Sequence, residues 1–254
     1  MTQFYSKNSN SLKGTIEVPG DKSISQRALI LGAMAIGQTQ IKGLSTSEDV
    51  NNLIKNLKLL GVKIIKKNSI TLIYGVGIGG FKKTKKKLDM GNSGTATRLM
   101  LGALCNQNFN AKFIGDKSLS GRNMYELIKP LKKMGVEINS KNNSLPILIK
   151  GCNETIPIIY NQKIPSAQIK SSVLIASLNS PGISTVIENT PTRNHTEILL
   201  KLFGAKIQIN KFKKKNIIKL KGQKDLKAKN ISIMGDPSSA AIIGSSALIT
   251  KKSE

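Results

Sequence analysis

The chain has no tryptophan, and aromatic residues make up only 4% of its 254 residues. A core of stacked rings is excluded, and so is a row of aromatic platforms for nucleic-acid bases. The core must come from Ile, Leu, Val and Ala. There are two cysteines, Cys105 and Cys152, far apart along the chain and without metal-ligand spacing. A disulfide scaffold is excluded, and both read as small buried hydrophobes in a reducing compartment. His195 is the only histidine. With one His and two distant Cys, no metal constellation and no Ser-His-Asp arrangement can be assembled. No apolar run approaches the ~18 residues of a membrane span. Residues 1–14 are polar and lack an apolar signal-peptide core. These absences predict a cytoplasmic protein with no membrane partner, no cofactor and no metal.

Acidic residues are also scarce: 14 Asp and Glu stand against 40 Lys and Arg, a formal charge of +26. The runs KKTKKK (82–87) and KFKKK (211–215) fall in or beside apparent turns, with few aromatics interleaved. They read as solvated surface and not as a nucleic-acid interface. What survives is that a cleft in such a protein attracts anions. Arginine is rarer still, at four of the 40 basic residues: Arg27, Arg98, Arg122 and Arg193. A chain that uses Lys elsewhere keeps Arg where a planar, two-point fork is needed for carboxylate or phosphate.

What is present is repetition. LKLLGVKI (57–64), LKKMGVEI (131–138) and LKLFGAKI (200–207) are versions of one phrase. Each predicts an amphipathic helix closed by Gly and followed by a short strand. STSEDV (45–50), SGRNMYE (120–126) and NHTE (194–197) precede them as capping signals, the last pairing Asn194 with Glu197. A second phrase lies upstream of each: DKSISQRALILGAMA from 21, GNSGTATRLMLGALC from 91 and PSAQIKSSVLIASL from 165. Each is a donor-rich turn feeding an apolar helix, and each is followed by a strand-like stretch, TQIKGL, AKFIGD or STVIEN. The spacing of about 70 residues marks repeated supersecondary units, βαβαββ once a preceding strand is counted. A fourth start, MGDPSSAAIIGSSALI (234–249), has no second helix or closing strands after it. VPGD (18–21) and MGDP (234–237) bracket the three-unit block as crossings. The predicted division is 1–19 as first strands of a split second domain, 20–235 as the three-unit domain, and 236–254 as the start of the remainder.

The literal G-x-G-x-x-G of GVGIGG (75–80) is a glycine loop. The FKKTKKKL that follows cannot supply the apolar helix a dinucleotide site requires. Helix starts are the better candidates, because their free N–H groups and positive dipole ends attract anions. Asp21 or Ser23 can cap the first, Ser23 and Arg27 share a face at i and i+4, and Lys22 adds a mobile charge. GNSGTATR exposes N–H groups around Gly94, and PSAQ offers Ser166 and Gln168. Arg122 and Arg193 sit in similar turns. Arg98, one turn into its helix, reads as structural. His195 reads as a local hydrogen-bonding residue, with a general base as the other option. If the units pack side by side, these turns converge on a substrate with several negative charges.

PGDKSISQRALILGAMAIG, GNSGTATRLM, GDKSLSGRNM, PSAQIKSS, TPTRNHTE and GDPSSAA, in this order over nearly the whole chain, closely resemble the 5-enolpyruvylshikimate-3-phosphate synthase family. The resemblance implies an α/β fold: an enolpyruvyl-transferase-like domain of three βαβαββ repeats, with an incomplete second domain of the same kind. It implies a monomeric transferase acting on shikimate 3-phosphate and phosphoenolpyruvate, with no nucleic-acid partner. Lys22, Ser23, Arg27, Ser166, Ala167, Gln168 and Arg193 match shikimate-3-phosphate contacts. Lys22, Gly94, Arg122 and Gln168 match phosphoenolpyruvate contacts. Gly94 stands where some glyphosate-tolerant members carry Ala, and Asn123 where many members carry Pro, a change expected to loosen the Arg122 loop. The acid/base Asp and catalytic Lys of the family have no match here. The chain is therefore expected to be C-terminally truncated, to bind weakly and to turn over nothing. UDP-N-acetylglucosamine 1-carboxyvinyltransferase is the nearest rival, but it typically opens with Lys-Asn and uses a loop Cys. A non-catalytic anion or nucleic-acid binder is the alternative of another class.

Overall fold

Outer helices first show how the repeated phrases fold. The computed structural model describes Tyr5 and residues 10–253. The first unit contains α1 (Lys22–Met34), β1 (Ala35–Lys42), α2 (Glu48–Leu59), β2 (Lys63–Lys67) and β3 (Ile70–Val76). The second contains β4 (Leu88–Asp89), α3 (Gly94–Leu104), β5 (Asn110–Ile114), the one-turn α4 (Lys117–Ser120), α5 (Tyr125–Lys133), β6 (Glu137–Ser140) and β7 (Ile147–Lys150). The third contains β8 (Ile159–Gln162), α6 (Ala167–Ala176), β9 (Ile183–Glu188), α7 (His195–Leu202), β10 (Lys206–Phe212) and β11 (Lys215–Lys221). Then come β12 (Leu226–Lys227), β13 (Asn230–Ser232) and α8 (Pro237–Ile249). The outer helices α2, α5 and α7 each end just before a glycine, and Gly61, Gly135 and Gly204 hold φ of +87°, +88° and +89°. Such angles strain any residue with a Cβ, which explains the glycine in each copy of the phrase.

Each unit makes its own sheet with one strand order. The second runs β4-β5-β7-β6 and the third β8-β9-β11-β10, with the first pair parallel and the rest antiparallel. In the first unit β1-β3-β2 repeats this order, but the lead strand is not the preceding one. β12 and β13 run parallel to β1 in that place. The chain thus returns after the third unit to cover an edge that would otherwise expose unpaired backbone groups. Residues 10–19 carry no strand, against the expectation for 1–19; the part of it on residues 1–4 and 6–9 lies outside the described residues. The two crossing segments do lie side by side. Gly20 bridges Gly235, the Asp21 N–H donates to the Met234 carbonyl at 2.8 Å, and the Asp236 N–H donates to the Pro19 carbonyl at 2.8 Å.

Helices α1, α3 and α6 form the interior. Ten consecutive residues of α1, Ser25 to Met34, are buried, the mark of a helix enclosed on every side. α3 packs against both α1 and α6. A Cβ at Gly102 would stand 2.4 Å from the Ser172 carbonyl oxygen, so glycine is what lets α3 and α6 cross this closely. Each fully buried Leu on these helices contributes ~1.5–3 kcal/mol relative to exposure.

Two local expectations fail. The Asn194–Glu197 capping pair does not form: Asn194 makes no side-chain cap bond, and Glu197 is buried against Lys170. An ammonium without access to water outcompetes a solvated backbone N–H for a carboxylate. The cysteines, distant in sequence, are neighbours in space, with the Cys152 N–H donating to the Cys105 carbonyl at 3.0 Å. Cys105 is buried but Cys152 only partly so, and burial pushes both thiols up. Among the described residues no helix is long and apolar enough to cross a membrane.

Candidate functional site

Three interior helices begin at one place because the units pack side by side, and their starts differ in what they offer. Asp21 caps α1, accepting the Ile24 N–H at 2.6 Å. That leaves Ser23 free of the capping role. Its hydroxyl accepts from Arg27 Nη1 at 2.7 Å, the i, i+4 pairing that the spacing predicts. Arg27 is 3% exposed. Its Nε donates to Thr196 Oγ1 at 2.7 Å and its Nη2 to Ser171 Oγ at 3.2 Å. Three hydroxyls and the Ser23 carbonyl, which accepts from Nη1 at 3.1 Å, surround this guanidinium; among the described residues no carboxylate pairs with it. Burial first, and Arg193 second, pull its pKa down to about 10, while Glu197 and Asp21 pull the other way. Arg193 is exposed and lies three residues before Thr196, which bonds Arg27, and its charge opposes that of Arg27. His195 belongs to the same group: burial and Arg27 hold it below its ordinary value. Its ring makes no hydrogen bond among the described residues, so the local bonding role expected for it is not observed.

A second cluster lines a cleft of about 420 Å³ beside the first. Gly94 opens α3 behind the Ser93 cap. A Cβ at Gly94 would meet Arg98 Nη1 at 2.9 Å and Arg122 Nη1 at 3.0 Å. The missing side chain is therefore the space in which two guanidinium groups converge. Arg98 Nη1 donates to Gln168 Oε1 at 2.6 Å, and Gln168 Nε2 donates to Thr95 Oγ1 at 2.7 Å. Arg122 Nη2 donates to Asn92 Oδ1 at 2.6 Å. Burial, then Arg122, lowers the pKa of Arg98. Lys22 reaches the same cleft from α1, its ammonium 3.0 Å from Asp49 on the first turn of α2. Among the described residues that line this cleft, three cations face one carboxylate, so the lining carries an uncompensated positive charge.

The remaining predicted residues, Ser166 and Ala167, bond within α6. Ser166 caps α6, its Oγ accepting the Ile169 N–H at 3.3 Å. Ala167 is 8% exposed, and its carbonyl accepts the Ser171 hydroxyl. The two clusters share α1 through Lys22 and Ser23, and α6 through Gln168 and Ser171. Gln26 ties their floor together, donating to Ser93 Oγ at 2.7 Å. A larger hollow of about 640 Å³ lies by the crossing segments. Its lining offers Glu17, Lys42 and Lys66 but no arginine, so chemistry and not size selects the smaller cleft.

Sequence reasoning missed Arg98, Asn92 and Asp49. Arg98, read as structural, lines the cleft and bonds Gln168; it stands at i+4 from Gly94, as Arg27 does from Ser23, and that parallel was available in the repeat. Asp49 and Asn92 gave no local signal. Asn123 also departs from expectation. Its Oδ1 accepts the Tyr125 N–H at 2.7 Å, which tethers the chain after Arg122 to the start of α5.

Residues 6–254 match the family model of EPSP synthase (3-phosphoshikimate 1-carboxyvinyltransferase). The 3-phosphoshikimate 1-carboxyvinyltransferase of Parvibaculum lavamentivorans is 46% identical over 249 residues, 97% of this chain and 55% of that protein. That of Novosphingobium aromaticivorans is 43% identical over 246 residues, 96% of this chain and 56% of that protein. The solved EPSP synthase of Acinetobacter baumannii superposes with a TM-score of 0.85 at 39% identity, covering 96% of this chain and 54% of that one. The chain spans about half the length of the curated relatives it matches. On the fold, the repeated units and these likenesses together, the chain belongs to the EPSP synthase family.

Proposed function

We propose that the cleft serves a 3-phosphoshikimate 1-carboxyvinyltransferase. Such an enzyme moves the enolpyruvyl group of phosphoenolpyruvate to the 5-hydroxyl of shikimate 3-phosphate. The hydroxyl gives up its proton as it attacks C2 and C3 takes a proton; the tetrahedral intermediate then expels phosphate as C3 releases a proton, which restores the enol double bond. The observation that carries this reading is the pair of adjoining cation clusters, Arg27 with Arg193 and Arg98 with Arg122, neither neutralised by a paired carboxylate. Two polyanions side by side complete them. In the proposed assignment Lys22, Ser23, Arg27, Ser166, Ala167, Gln168 and Arg193 hold shikimate 3-phosphate. Lys22, Gly94, Arg122 and Gln168 hold phosphoenolpyruvate, with Arg98 added on its geometry. Their contribution is alignment and preorganised charge, so that no solvent has to reorient as the anions meet.

The same reading keeps residues 20–235 as the three-unit binding domain and assigns 1–19 and 236–254 to a second domain. It also places the protein in the cytoplasm, as a monomer without nucleic acid. The chain of 254 residues binds its substrates without turnover, since it corresponds to only about 55% of the length of its relatives. Calorimetric titration tests this. Saturable binding of shikimate 3-phosphate is expected, together with silence toward UDP-N-acetylglucosamine. Binding of the sugar nucleotide alone, or steeply salt-dependent affinity for DNA with no response to shikimate 3-phosphate, overturns the reading. Steady-state turnover by this chain overturns the last part of it.

A further inference from the structure

Beneath the Arg27 cluster lies a charged group that the proposed chemistry does not use. The Lys170 ammonium, on α6, is 2.9 Å from Glu188 Oε1 at the end of β9 and 2.7 Å from Glu197 Oε1 in the first turn of α7. The three side chains are 0%, 0% and 2% exposed. Buried ion groups of this kind add little to stability, and apolar replacements often serve as well or better. Their placement is more informative. Lys170 follows Gln168 by two residues and directly precedes Ser171. Glu197 directly follows Thr196. Glu188 Oε1 also accepts the Thr192 N–H at 3.2 Å and the Thr192 hydroxyl, and Thr192 directly precedes Arg193. Its other oxygen accepts from Asn216 Nδ2 on β11 at 3.1 Å. One ammonium thus joins three segments, each of which carries a member of the Arg27 site.

We propose that the Lys170–Glu188–Glu197 triad is a positioning device that holds Arg193 and Thr196 against Arg27 before a ligand arrives. Residues 189–191, 193 and 194 are exposed; Asn189 ties the near end of this loop to β8, its Nδ2 donating to Asn161 Oδ1 at 2.8 Å and to the Gln162 carbonyl at 3.3 Å, and the Glu188 carboxylate, through Thr192, is the anchor next to Arg193. Arg27 and Arg193 repel each other, so an unanchored Arg193, already exposed, drifts away from Arg27. The anchor prevents this, and two carboxylates against one ammonium place surplus negative charge behind Arg27. The cost of bringing the cations together is then met during folding instead of being subtracted from ligand affinity.

The inference rests on the function proposed above in one respect, the identity of the ligand, so the test has a ligand-free arm. Thr192→Val removes the hydroxyl donated to Glu188 and keeps the backbone N–H and the shape. Hydrogen exchange of residues 189–194 is expected to speed up about tenfold while α7 and the melting temperature stay as they were. Shikimate 3-phosphate is expected to bind about tenfold more weakly, as the loss of one charge-assisted hydrogen bond implies. In an Arg193→Ala background the same substitution should change affinity no further. Glu188→Gln, where it folds, should act in the same direction. Unchanged loop exchange overturns the proposal, and so does an equal affinity loss in both backgrounds. If the unmodified chain binds no shikimate 3-phosphate, the proposed function fails, and the exchange arm alone decides on the triad.

Discussion

Helices α6 and α8 are written in nearly the same words, PSAQIKSSVLIA and DPSSAAIIGSSALI, yet they live in opposite surroundings. In α6 every residue but Gln168 is buried, whereas α8 has no buried residue. Both are capped in the same way, α8 by Asp236, which accepts the Ser238 and Ser239 N–H groups at 2.8 and 3.2 Å. Asp236 also accepts the Lys22 N–H at 3.2 Å, so α8 starts at the mouth of the cleft like the other three. The same local chemistry therefore aims four helix starts at one region, while burial is decided by what else packs there. α6 packs against α3 and α5 and is bonded through Ser171 and Lys170 to α1 and α7. Ile242, Leu248 and Ile249 of α8 are 72%, 88% and 85% exposed.

The sharpest way to break this comparison is to cut a side chain from each helix. Leu174→Ala in α6 should cost ~2–5 kcal/mol and lower the denaturant midpoint, while Leu248→Ala in α8 should stay within ~0.5 kcal/mol. Equal shifts in chemical denaturation would show that the two helices are held alike after all. Next in size is the Arg27 cluster that α6 helps to build. Arg27→Met should weaken shikimate 3-phosphate binding about 100-fold in a calorimetric titration. Its effect on stability should lie within ~1 kcal/mol, because the lost bonds are offset by the relief of a buried charge. Since Arg27 stays charged up to about pH 10, affinity should be flat from pH 7 to 9 and fall on the acid side, where phosphate gains its second proton near pH ~6.

Gly94→Ala tests the second cluster. The new Cβ must push Arg98 and Arg122 apart, since both lie within 3.0 Å of its position. Phosphoenolpyruvate binding should weaken about tenfold with shikimate 3-phosphate affinity unchanged, the size expected for one misplaced charged contact. The smallest effect is that of His195. Its folded pKa lies below the unfolded value, so the fold favours the neutral ring. Its contribution to stability is complete above pH ~6.5 and is lost as pH falls through that value toward the folded one. Glu197, pushed up by burial, works in the opposite sense around pH ~4.5, where the fold favours its protonated form and stability declines as pH rises. His195→Gln should flatten the decline in melting temperature between pH 7 and 5.5, and an unaltered slope would remove His195 from the account.

Much of the architecture was legible because it repeats. Gly61, Gly135 and Gly204 follow three copies of one phrase, and a glycine past a helix end has a local cause that needs no knowledge of neighbours. Ser23 and Arg27 were legible for the same reason: i, i+4 contacts are set by helix geometry. Arg98 was misread although it obeys the same spacing, because a Gly at the helix start hides the pairing that Ser makes obvious. The lead strand of the first unit was illegible, since β12 and β13 arrive from about 190 residues later and nothing near α1 announces them. Glu197 was misread because capping is a local rule, and Lys170 wins the carboxylate by a contact across the core.

From the residues alone came the three-unit plan, the helix starts and the four scarce arginines, all of which depend on interactions within a few residues along the chain. Only the packed structure decided that Arg98 joins Arg122 around Gly94, that Arg27 is held by hydroxyls from α1, α6 and α7, and that a buried lysine stands behind them. Those are contacts between units, and side-by-side packing is what turns separate capped helices into one pocket for negative charge.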